Sequence, residues 1–242
     1  MIIAHFFYKL YLVDAKLEPL KFIGTSFPIT PNGGLLTCRH VVDLAIPEGQ
    51  AIAAYDSEMS RFVVLTNAPV FPRNPAIDLA FLPNALSRPK LEFFPVLSPK
   101  ELKIGTDVHS FGFFAIGANQ EAIEQGYFSG KIVNFFEYEK SAETARITLP
   151  FPILEGMSGS PILTYHNGIK LVGIGIGNRQ TRILASEILE FEEGTTRLRE
   201  SIHRIVEYGV AYHAAAILHF LIQTEILGFV ESADRLTFPD LD

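Results

Sequence analysis

The feature that most constrains the fold is a succession of short strand-like segments that runs to about residue 190. These segments are rich in Val, Ile, Phe, Tyr and Thr, which favour extended chain, and turn-forming Gly, Pro and Asn separate them. They are KFIGTSF (21–27), QAIAAY (50–55), RFVVLT (61–66), DLAFL (78–82), DVHSFGF (107–113), YFSGKIVNFFEY (127–138), ARITL (145–149), SPILTY (160–165) and KLVGIGI (170–176). Long helical periodicity is missing from this stretch. The sequence therefore predicts an all-β sandwich or barrel and not alternating β-α units.

The pattern changes after Gly194, where helical periodicity begins. One apolar stripe has the i, i+4, i+7, i+8 spacing of an amphipathic helix face. Its members are Leu198, Ile202, Ile205, Val206 and Val210. A second run, residues 211–227, is apolar over much of a helix circumference. The sequence therefore predicts a C-terminal helical extension over residues 195–242.

The preceding residues 1–194 are predicted to be one β domain made of two halves, at about 1–95 and 104–194. The segment LSRPKLEFFPVLSPKELK (86–103) is the best candidate for the linker between these halves. Its prolines interrupt both helices and sheet ladders, which favours a connecting role. A chain of 242 residues can hold one large domain or two small lobes, so its length agrees with this division.

Composition excludes several classes of protein. Hydrophobic residues make up 48% of the chain and charged residues 19%, which is too apolar for intrinsic disorder. The net charge of −7 argues against a nucleic-acid partner, because phosphate binding needs a basic surface. A single cysteine, Cys38, excludes an intramolecular disulfide and therefore a disulfide-stapled secreted scaffold.

No secretory or membrane-spanning segment is predicted. The N-terminus lacks a basic region and Lys9 interrupts its apolar stretch, which is atypical of a signal peptide. The most apolar candidate for a membrane span, residues 210–230, contains His213, His219 and Glu225, which would be costly in lipid. We interpret this run as a buried or docking helix, and expect a cytoplasmic protein with no membrane partner.

Three short segments carry residues suited to nucleophilic catalysis. GGLLTCRHVVD contains His40 just after a short strand, AIDLAFL contains Asp78 at the start of an apolar strand, and GMSGSPIL contains Ser158 between glycines. A serine hydroxyl is a weak nucleophile at neutral pH and needs an adjacent base. His40 would accept the Ser158 proton, and Asp78 would hold the imidazole in the required tautomer. The residue types therefore predict a Ser-His-Asp site.

The glycines around the serine also have a chemical meaning. Gly156 and Gly159 lack a Cβ, so the backbone beside Ser158 can adopt conformations closed to other residues. A glycine two positions before the serine lets the chain turn its N–H toward a developing oxyanion, beside the N–H of the serine. We predict that the N–H groups of Gly156 and Ser158 form an oxyanion hole.

T-C-R-H, D-L-A and G-M-S-G-S-P resemble the three signature segments of trypsin-like (chymotrypsin-fold) serine peptidases. FIGTSF (22–27) is similar to a strand of the bacterial HtrA-type branch, and KLVGIGIG (170–177) to the strand that follows the serine and lines the substrate groove. Together these segments cover about residues 20–185 in the order of the family. The resemblance implies two packed six-stranded β-barrels with the triad in the cleft between them. It gives no account of the C-terminal extension, and no PDZ-like domain is expected.

The chain departs from the family pattern at several positions. Cys38 and Arg39 replace two small residues before the histidine, and Met157 replaces the usual Asp or Asn before the serine. No N-terminal segment resembling I-V-G-G is visible. The resemblance therefore implies a peptidase that is not activated through a newly cleaved N-terminus.

The resemblance also suggests which residues contact the substrate. The base of the pocket for the side chain before the scissile bond would lie at Pro152, where no carboxylate is available for a Lys or Arg side chain. Ile174, Gly175 and Ile176 would line the groove, and Glu155 would lie at the rim of the pocket. This set implies a preference for apolar side chains.

Rival assignments of the site residues are weaker. The nucleophile elbow of α/β-hydrolases has a second glycine where this chain has Ser160, and that fold needs its acid and histidine after the serine. Other candidates for the orienting acid are Asp43, Asp56 and Asp107. Asp78 is the carboxylate that opens an apolar run, where an acid needs a partner to be tolerated.

Other motifs favour structural roles. VGIGIGN (172–178) lacks the third glycine and the Lys-Ser/Thr of a nucleotide-binding loop, so we predict a strand. His203, His213 and His219 do not have the i, i+4 spacing of a helical metal pair. Cys38 lies too close in sequence to the base to be a good candidate nucleophile. We expect no metal and no cofactor.

The sequence thus predicts a regulated, intracellular serine endopeptidase that acts on a protein or peptide substrate. An unrestrained intracellular protease would degrade the proteins around it, so we expect control by a regulatory protein or by self-association through the C-terminal helices. Two alternatives stay open. One is a catalytically silent peptidase fold that binds peptides or acts as a scaffold, and the other is a processing protease of a virus or mobile element.

Overall fold

The computed structural model describes residues 6–86, 93–117, 119–136, 141–166, 168–191 and 197–226, and for 182–191 and 197–204 it describes the backbone. These residues form two curled antiparallel sheets, one from each half of the chain, followed by a helix. This is the chymotrypsin-like two-barrel architecture that the resemblance implied.

The first sheet has six strands, as predicted, within the described part of the chain. They are β1 (Tyr8–Asp14), β2 (Pro19–Pro28), β3 (Leu35–Thr37), β4 (Gln50–Asp56), β5 (Arg61–Val64) and β6 (Ala80–Leu82). They hydrogen-bond in the order β5-β4-β1-β2-β3-β6. A single helical turn, α1 (Arg39–Val42), follows β3. The sequence analysis did not identify β1, whose buried Tyr8, Leu10 and Val13 pack under the sheet.

The second sheet has seven strands among the described residues, one more than the six expected for this half. They are β7 (Asp107–Ile116), β8 (Ala122–Lys131), β9 (Asn134–Phe136), β10 (Arg146–Leu149), β11 (Pro161–Thr164), β12 (Lys170–Phe191) and β13 (Arg197–His213). Their order is β8-β7-β11-β12-β13-β10-β9. The segment 172–178 lies within β12, which agrees with its prediction as a strand.

The additional strand is β13, and it corrects the amphipathic helix predicted over residues 198–210. Its pairing with β12 runs from Gly173↔His213 to Phe191↔Arg197, and residues 209–212 also pair with β10. The apolar stripe that suggested a helix is mostly β-branched, and β-branched side chains disfavour helix and favour strand. Gly209 weakens a helix further. Residues 197–213 therefore belong to the second sheet and not to a helical extension.

A C-terminal helix is present, but it is shorter than the predicted run 211–227. It is α2 (Ala214–Gln223), and the Nδ1 atom of His213 caps it by accepting a hydrogen bond from the Ala215 N–H at 2.9 Å. Seven of the ten residues of α2 are buried in the protein's own core. Residues 227–242 of the predicted extension lie outside the described residues, as do 192–196. No helix in the described ranges is long and apolar enough to cross a membrane.

Three apolar clusters hold the two sheets. One lies inside each sheet, and the third joins them, with members from both sheets and from α2. That joining cluster includes Phe27, Leu36, Ile174, Tyr212 and Phe220. The predicted linker 86–103 is described at Leu86 and from residue 93 onward, where Phe94 and Leu97 are buried and Val96 bridges Leu171 of β12. The two halves therefore meet along a continuous apolar contact.

Candidate active site

His40 lies on α1, immediately beyond β3. The turn buries Cys38, Val41 and Val42 in the core of the first sheet and leaves the His40 side chain 50% exposed. Apolar neighbours on both sides of a polar residue thus fix the helical turn, and the imidazole extends from its outer face. The predicted base is accessible to a substrate.

Asp78 lies beside His40 because β3 and β6 are paired, with Thr37 opposite Ala80. One carboxylate oxygen accepts the His40 backbone N–H at 2.8 Å, and the other lies 2.6 Å from His40 Nδ1. An ionised carboxylate only accepts hydrogen bonds, so Nδ1 must carry the proton of this pair. The lone pair of Nε2 is then available as a base.

The backbone of Asp78 is bound by the other sheet. Its N–H donates to the hydroxyl of Tyr212 at 3.0 Å, and Tyr212 is completely buried on β13. The sequence analysis missed Tyr212, because its region was predicted as helix and nothing in the local sequence marks a contact with Asp78. The acid is therefore held by both halves of the molecule.

The three rival acids are engaged elsewhere. Asp43 pairs with Arg39 at 2.9 Å, and Asp107 pairs with Lys131 at 2.8 Å. Asp56 accepts backbone hydrogen bonds from its own turn, at Glu58 and Met59. None of these carboxylates contacts His40 in the part of the chain that is described.

Ser158 lies in a tight turn between β10 and β11. Within this turn the Met157 N–H donates to Leu154 O and the Ser160 N–H donates to Met157 O, each at 2.9 Å. Gly156 and Gly159 have φ angles of 93° and 88°, in the left-handed region that favours glycine. A Cβ on Gly159 would lie 2.0 Å from the Thr25 carbonyl oxygen, so this close approach to β2 also requires glycine.

The Ser158 turn is bound to both sheets next to the His40 segment. The Thr25 N–H donates to Ser158 O at 3.0 Å, and the Gly159 N–H donates to Gly175 O at 2.9 Å. The Cys38 thiol donates to the same Gly175 oxygen at 3.3 Å. Residues adjacent to the predicted base and to the predicted nucleophile thus meet at one carbonyl group.

The hydroxyl of Ser158 is not hydrogen-bonded to His40 within the described ranges, whereas the His40–Asp78 pair is fully formed. Catalytic hydrogen bonds are often long before substrate binds and shorten in the complex. The structure therefore brings His40 and Asp78 together, and it brings the Ser158 turn beside them.

The two predicted oxyanion donors are the backbone N–H groups of Gly156 and Ser158. Among the described residues, neither the Gly156 N–H nor the Ser158 N–H donates to a protein group. The carbonyl before Gly156, that of Glu155, accepts the Ala115 N–H at 3.0 Å. Because N–H and C=O of a trans peptide point in opposite directions, this bond directs the Gly156 N–H away from β7.

Met157 occupies the position where the family has Asp or Asn. Its side chain is completely buried in the core of the second sheet, together with Leu102, Ile147 and Ile162. A buried carboxylate would need a paired charge, but an apolar side chain at this position is stabilised by burial alone. Packing therefore anchors the turn at this point.

The predicted substrate-contact residues differ in accessibility. Glu155 is exposed, Pro152 and Ile176 are partly exposed, and Ile174 and Gly175 are buried. Of the predicted set, Glu155, Pro152 and Ile176 are therefore accessible to a substrate side chain.

The predicted substrate-contact residues did not include Ile153, which packs against Gly175 of β12. Ile153 is 4% exposed, and a Cβ on Gly175 would lie 2.9 Å from its Cδ1 atom. The Asn178 side chain fixes its backbone, accepting the Ile153 N–H at 2.7 Å and donating to its carbonyl at 3.0 Å. An apolar residue five positions before the serine was the available signal, but the direction of its side chain needs the structure.

One group of residues has the composition of a metal site. The ligand atoms of Cys38, His40 and Asp78 lie within 4.8 Å of one another, the one such group among the residues searched. Burial raises the pKa of the Cys38 thiol well above its usual value, and the nearby Asp78 charge raises it further. A metal needs the thiolate, and His40 Nδ1 and Asp78 already bind each other. The donor set does not fit a resident metal.

The remaining histidines discussed above are structural where they are described. His213 caps α2, and His219 Nε2 lies 2.8 Å from the side-chain nitrogen of Gln223. The side chain of His203 lies outside the described residues. Cys38 is completely buried, in agreement with its prediction as a core residue.

A trypsin-like peptidase domain model matches residues 24–174 of the chain. No curated protein matches it. The HtrA-type protease AlgWS227A with decapeptide is similar in structure, with a TM-score of 0.56 and 15% identity over 93% of this chain and 65% of that chain. The HtrA-type protease AlgW with tripeptide has a TM-score of 0.56 and 17% identity over 95% of this chain and 62% of that chain. The chain thus spans less than two thirds of the length of these relatives.

At sequence identities this low, structural similarity shows that the proteins share a fold. The shared fold agrees with the resemblance of the sequence to the HtrA-type branch. The domain match adds family membership, because it covers more than half of the chain and includes His40, Asp78 and Ser158. This protein therefore belongs to the trypsin-like peptidase family.

Proposed function

We propose that the protein is a serine endopeptidase that hydrolyses peptide bonds through an acyl-enzyme intermediate. The observation that carries the proposal is the double hydrogen bond from His40 to the Asp78 carboxylate, directly beside the turn that contains Ser158. A histidine held in one tautomer with its Nε2 free is what an adjacent serine needs in order to become a nucleophile.

In this mechanism Ser158 Oγ attacks the substrate carbonyl carbon while its proton passes to His40 Nε2. The carbonyl oxygen becomes an oxyanion, which the N–H groups of Gly156 and Ser158 would bind. Asp78 stabilises the imidazolium that forms. Collapse of this intermediate breaks the peptide C–N bond, and His40 returns the proton to the leaving amine. Water then attacks the carbonyl carbon of the acyl-enzyme ester while its proton passes to His40 Nε2. His40 returns this proton to Ser158 Oγ as the ester bond breaks, which releases the carboxylic acid and restores Ser158.

The substrate of this proposal is a peptide or an extended protein segment. Similar structures carry a decapeptide and a tripeptide according to their titles, which supports a groove for extended chain. The Ile153 side chain is buried against Gly175, one of the predicted groove residues, so we propose that the residue before the scissile bond is apolar and small. Glu155 and Ile176 are accessible enough to contact neighbouring substrate residues.

Control of this activity by a partner or by self-association is a further part of the proposal, as is an intracellular location. The buried face of α2 is already occupied by the protein's own core. We therefore propose that any regulatory contact uses a different surface from this face.

A peptide-binding module without turnover is the second candidate function. The observation that favours it is the lack of a hydrogen bond between Ser158 and His40 in the described structure. Effective catalysis needs the reacting atoms aligned at close range, and a misplacement of about 1 Å can cost a factor of about 100. The two candidates share the same groove and differ in the reactivity of one hydroxyl.

Labelling with a fluorophosphonate, followed by intact-mass analysis, separates the two candidates. The proteins compared are wild type, Ser158→Ala and the matched control Ser160→Ala, which removes a buried hydroxyl two residues away. One adduct on wild type and on Ser160→Ala, with none on Ser158→Ala, is the expected result. An adduct that persists on Ser158→Ala would overturn the assignment of the nucleophile. Peptide binding by wild type without labelling or cleavage would favour the binding module.

A further inference from the structure

Thr25 on β2 binds the Ser158 turn through both its backbone and its side chain. It is completely buried, and its backbone N–H donates to Ser158 O at 3.0 Å. Its hydroxyl donates to Gly156 O at 2.9 Å and accepts the Phe113 N–H at 3.1 Å. One residue of the first sheet therefore binds the turn on both sides of Met157, and also binds β7 of the second sheet.

The direction of the hydroxyl proton follows from these contacts. A threonine hydroxyl has one proton to donate. The Phe113 N–H supplies a donor to Oγ1, so the hydroxyl acts there as an acceptor. Two carbonyl oxygens lie within reach of the hydroxyl proton, Gly156 O at 2.9 Å and Phe113 O at 3.5 Å. The shorter contact is the stronger hydrogen bond, so the hydroxyl donates to Gly156 O.

The two peptide groups around Gly156 are thus each held by their carbonyl oxygen. Ala115 N–H binds the carbonyl of Glu155 at 3.0 Å, and the Thr25 hydroxyl binds the carbonyl of Gly156. A peptide is planar, so fixing a C=O also fixes the N–H on the opposite side. The Gly156 N–H belongs to the first of these peptides, so the Ala115 bond sets its direction, and the Thr25 bond fixes the position of the Gly156 Cα to which that peptide is joined.

Glycine makes this second bond necessary. Gly156 has a φ of 93° and lacks the side chain that would restrict its rotation. The peptide between Gly156 and Met157 is also held inside the turn, because the Met157 N–H donates to Leu154 O at 2.9 Å. The Thr25 hydroxyl is what ties this peptide to the first sheet, and without that bond Gly156 can shift relative to β2, together with the N–H that it carries. A preorganised donor is worth more to catalysis than one that must be reoriented at each turnover.

We propose that Thr25 is a positioning residue for the oxyanion hole: its hydroxyl holds the Gly156 carbonyl and so fixes the place of Gly156, whose N–H the Ala115 bond directs, relative to the first sheet that carries His40 and Asp78. This inference rests on the proposed peptidase function. Thr25 touches no reacting atom, and acts through the backbone of the turn.

The test compares Thr25→Val, which keeps the shape and removes the hydroxyl, with Thr25→Ser, which keeps the hydroxyl. The matched control is Ser26→Ala, which removes the next buried hydroxyl on β2, bound to Tyr8 O and not to the turn. For each protein, kcat and KM are measured on one peptide substrate, and the melting temperature shows that the protein is folded. Thr25→Cys, with a weaker donor of similar size, adds an intermediate point.

We expect Thr25→Val to lower kcat by about 10- to 100-fold with little change in KM, because the bond acts on the transition state. The affinity for a peptidyl boronic acid, whose adduct places an oxygen in the hole, should fall by a similar factor, and that for the product peptide should not. Activity should decrease in the order Thr, Ser, Cys, Val. Ser26→Ala should lose stability with kcat unchanged.

Four results would overturn the inference. A folded Thr25→Val with wild-type kcat and wild-type boronate affinity would do so, as would an equal loss in Ser26→Ala. If Thr25→Val does not fold, equal kcat for Thr25→Ser and Thr25→Cys has the same meaning. A wild type that neither turns over substrate nor binds the boronic acid would overturn the proposed function as well, so the two failures are distinguishable.

Discussion

The two sides of the candidate site are built in different ways. On the first sheet, His40 and Asp78 are accessible side chains that bind each other directly. On the second sheet, the geometry around Ser158 comes from the backbone, through two left-handed glycines and a series of main-chain hydrogen bonds. The acid–base side therefore depends on which side chains are present, and the nucleophile side on how the backbone is held.

This difference predicts how each side tolerates change. A substitution at His40 or Asp78 should alter the chemistry and leave the fold intact, because both side chains reach solvent. A substitution in the Ser158 turn should affect stability and activity together, because Met157, Gly159 and their contacts are buried. Each prediction below breaks or sharpens this contrast.

Asp78→Asn should produce the largest effect on activity. An asparagine can donate to Nδ1, which favours the tautomer with the proton on Nε2, and that nitrogen can no longer accept a proton from Ser158. We expect kcat to fall by about 10⁴-fold, with the melting temperature nearly unchanged. Asp43→Asn is the matched control, since that exposed carboxylate binds Arg39. Activity within tenfold of wild type in Asp78→Asn would show that Asp78 does not orient the base.

Gly159→Ala should produce the largest loss of stability. The new Cβ would lie 2.0 Å from the Thr25 carbonyl oxygen, and the φ of 88° adds strain, so backbone must move. Gly168→Ala is the matched control, because Gly168 has a φ of 99° and no atom within 4 Å of a new Cβ. Urea unfolding should show a loss of about 1–2 kcal/mol in the control, from strain alone, and a clearly larger loss in Gly159→Ala. Equal losses in the two variants would contradict the importance of the close approach to β2.

Ile153→Ala should change both stability and specificity. Loss of this buried side chain should cost about 2–5 kcal/mol of the free energy of unfolding. It also opens space beside Gly175, so kcat/KM should rise for substrates with a larger apolar residue before the scissile bond, relative to those with alanine. Ile147→Ala, in the same core but on β10, is the control, with a similar loss of stability and no change in preference. An unchanged preference in Ile153→Ala would show that Ile153 does not bound the pocket.

Much of the acid–base side could be predicted from the sequence, because its signals are local. His40 and Asp78 each lie within a short motif next to a recognisable strand, and the pairing of β3 with β6 brings them together. The buried groups that hold the site could not be predicted. Tyr212 lies 134 residues from Asp78, and Thr25 lies 131 residues from Gly156. Such contacts depend on how the two sheets pack, which neither composition nor periodicity encodes.

The error over residues 198–210 has the same origin. An apolar spacing of four, three and one residues fits a helix face, but β13 forms because β12 offers a long partner strand. Tertiary pairing overrides a local periodicity when the residues are β-branched. The helix α2 was recognised because its alanine-rich and leucine-rich run has high helix propensity and little β-branching. Local sequence patterns therefore predicted the secondary structure correctly where intrinsic propensity and tertiary packing favour the same element.

The two histidines His40 and His213 differ in the same way, because the side chain of His40 is exposed and that of His213 is buried. The buried histidine predicts a dependence of stability on pH. Burial lowers the pKa of His213 to about 4, and its Nδ1 caps α2 as an acceptor. The unfolded chain binds this proton at a pKa of about 6.5, so between pH 6.5 and 4 the unfolded state binds more protons and stability falls as the pH falls. From pH 7 to pH 5 the contribution should be about 2 kcal/mol. His213→Asn keeps a capping acceptor and cannot titrate, so its free energy of unfolding should depend less on pH than that of wild type by this amount. Parallel pH profiles for the two proteins would show that His213 is already protonated in the folded state or is not protected by the core.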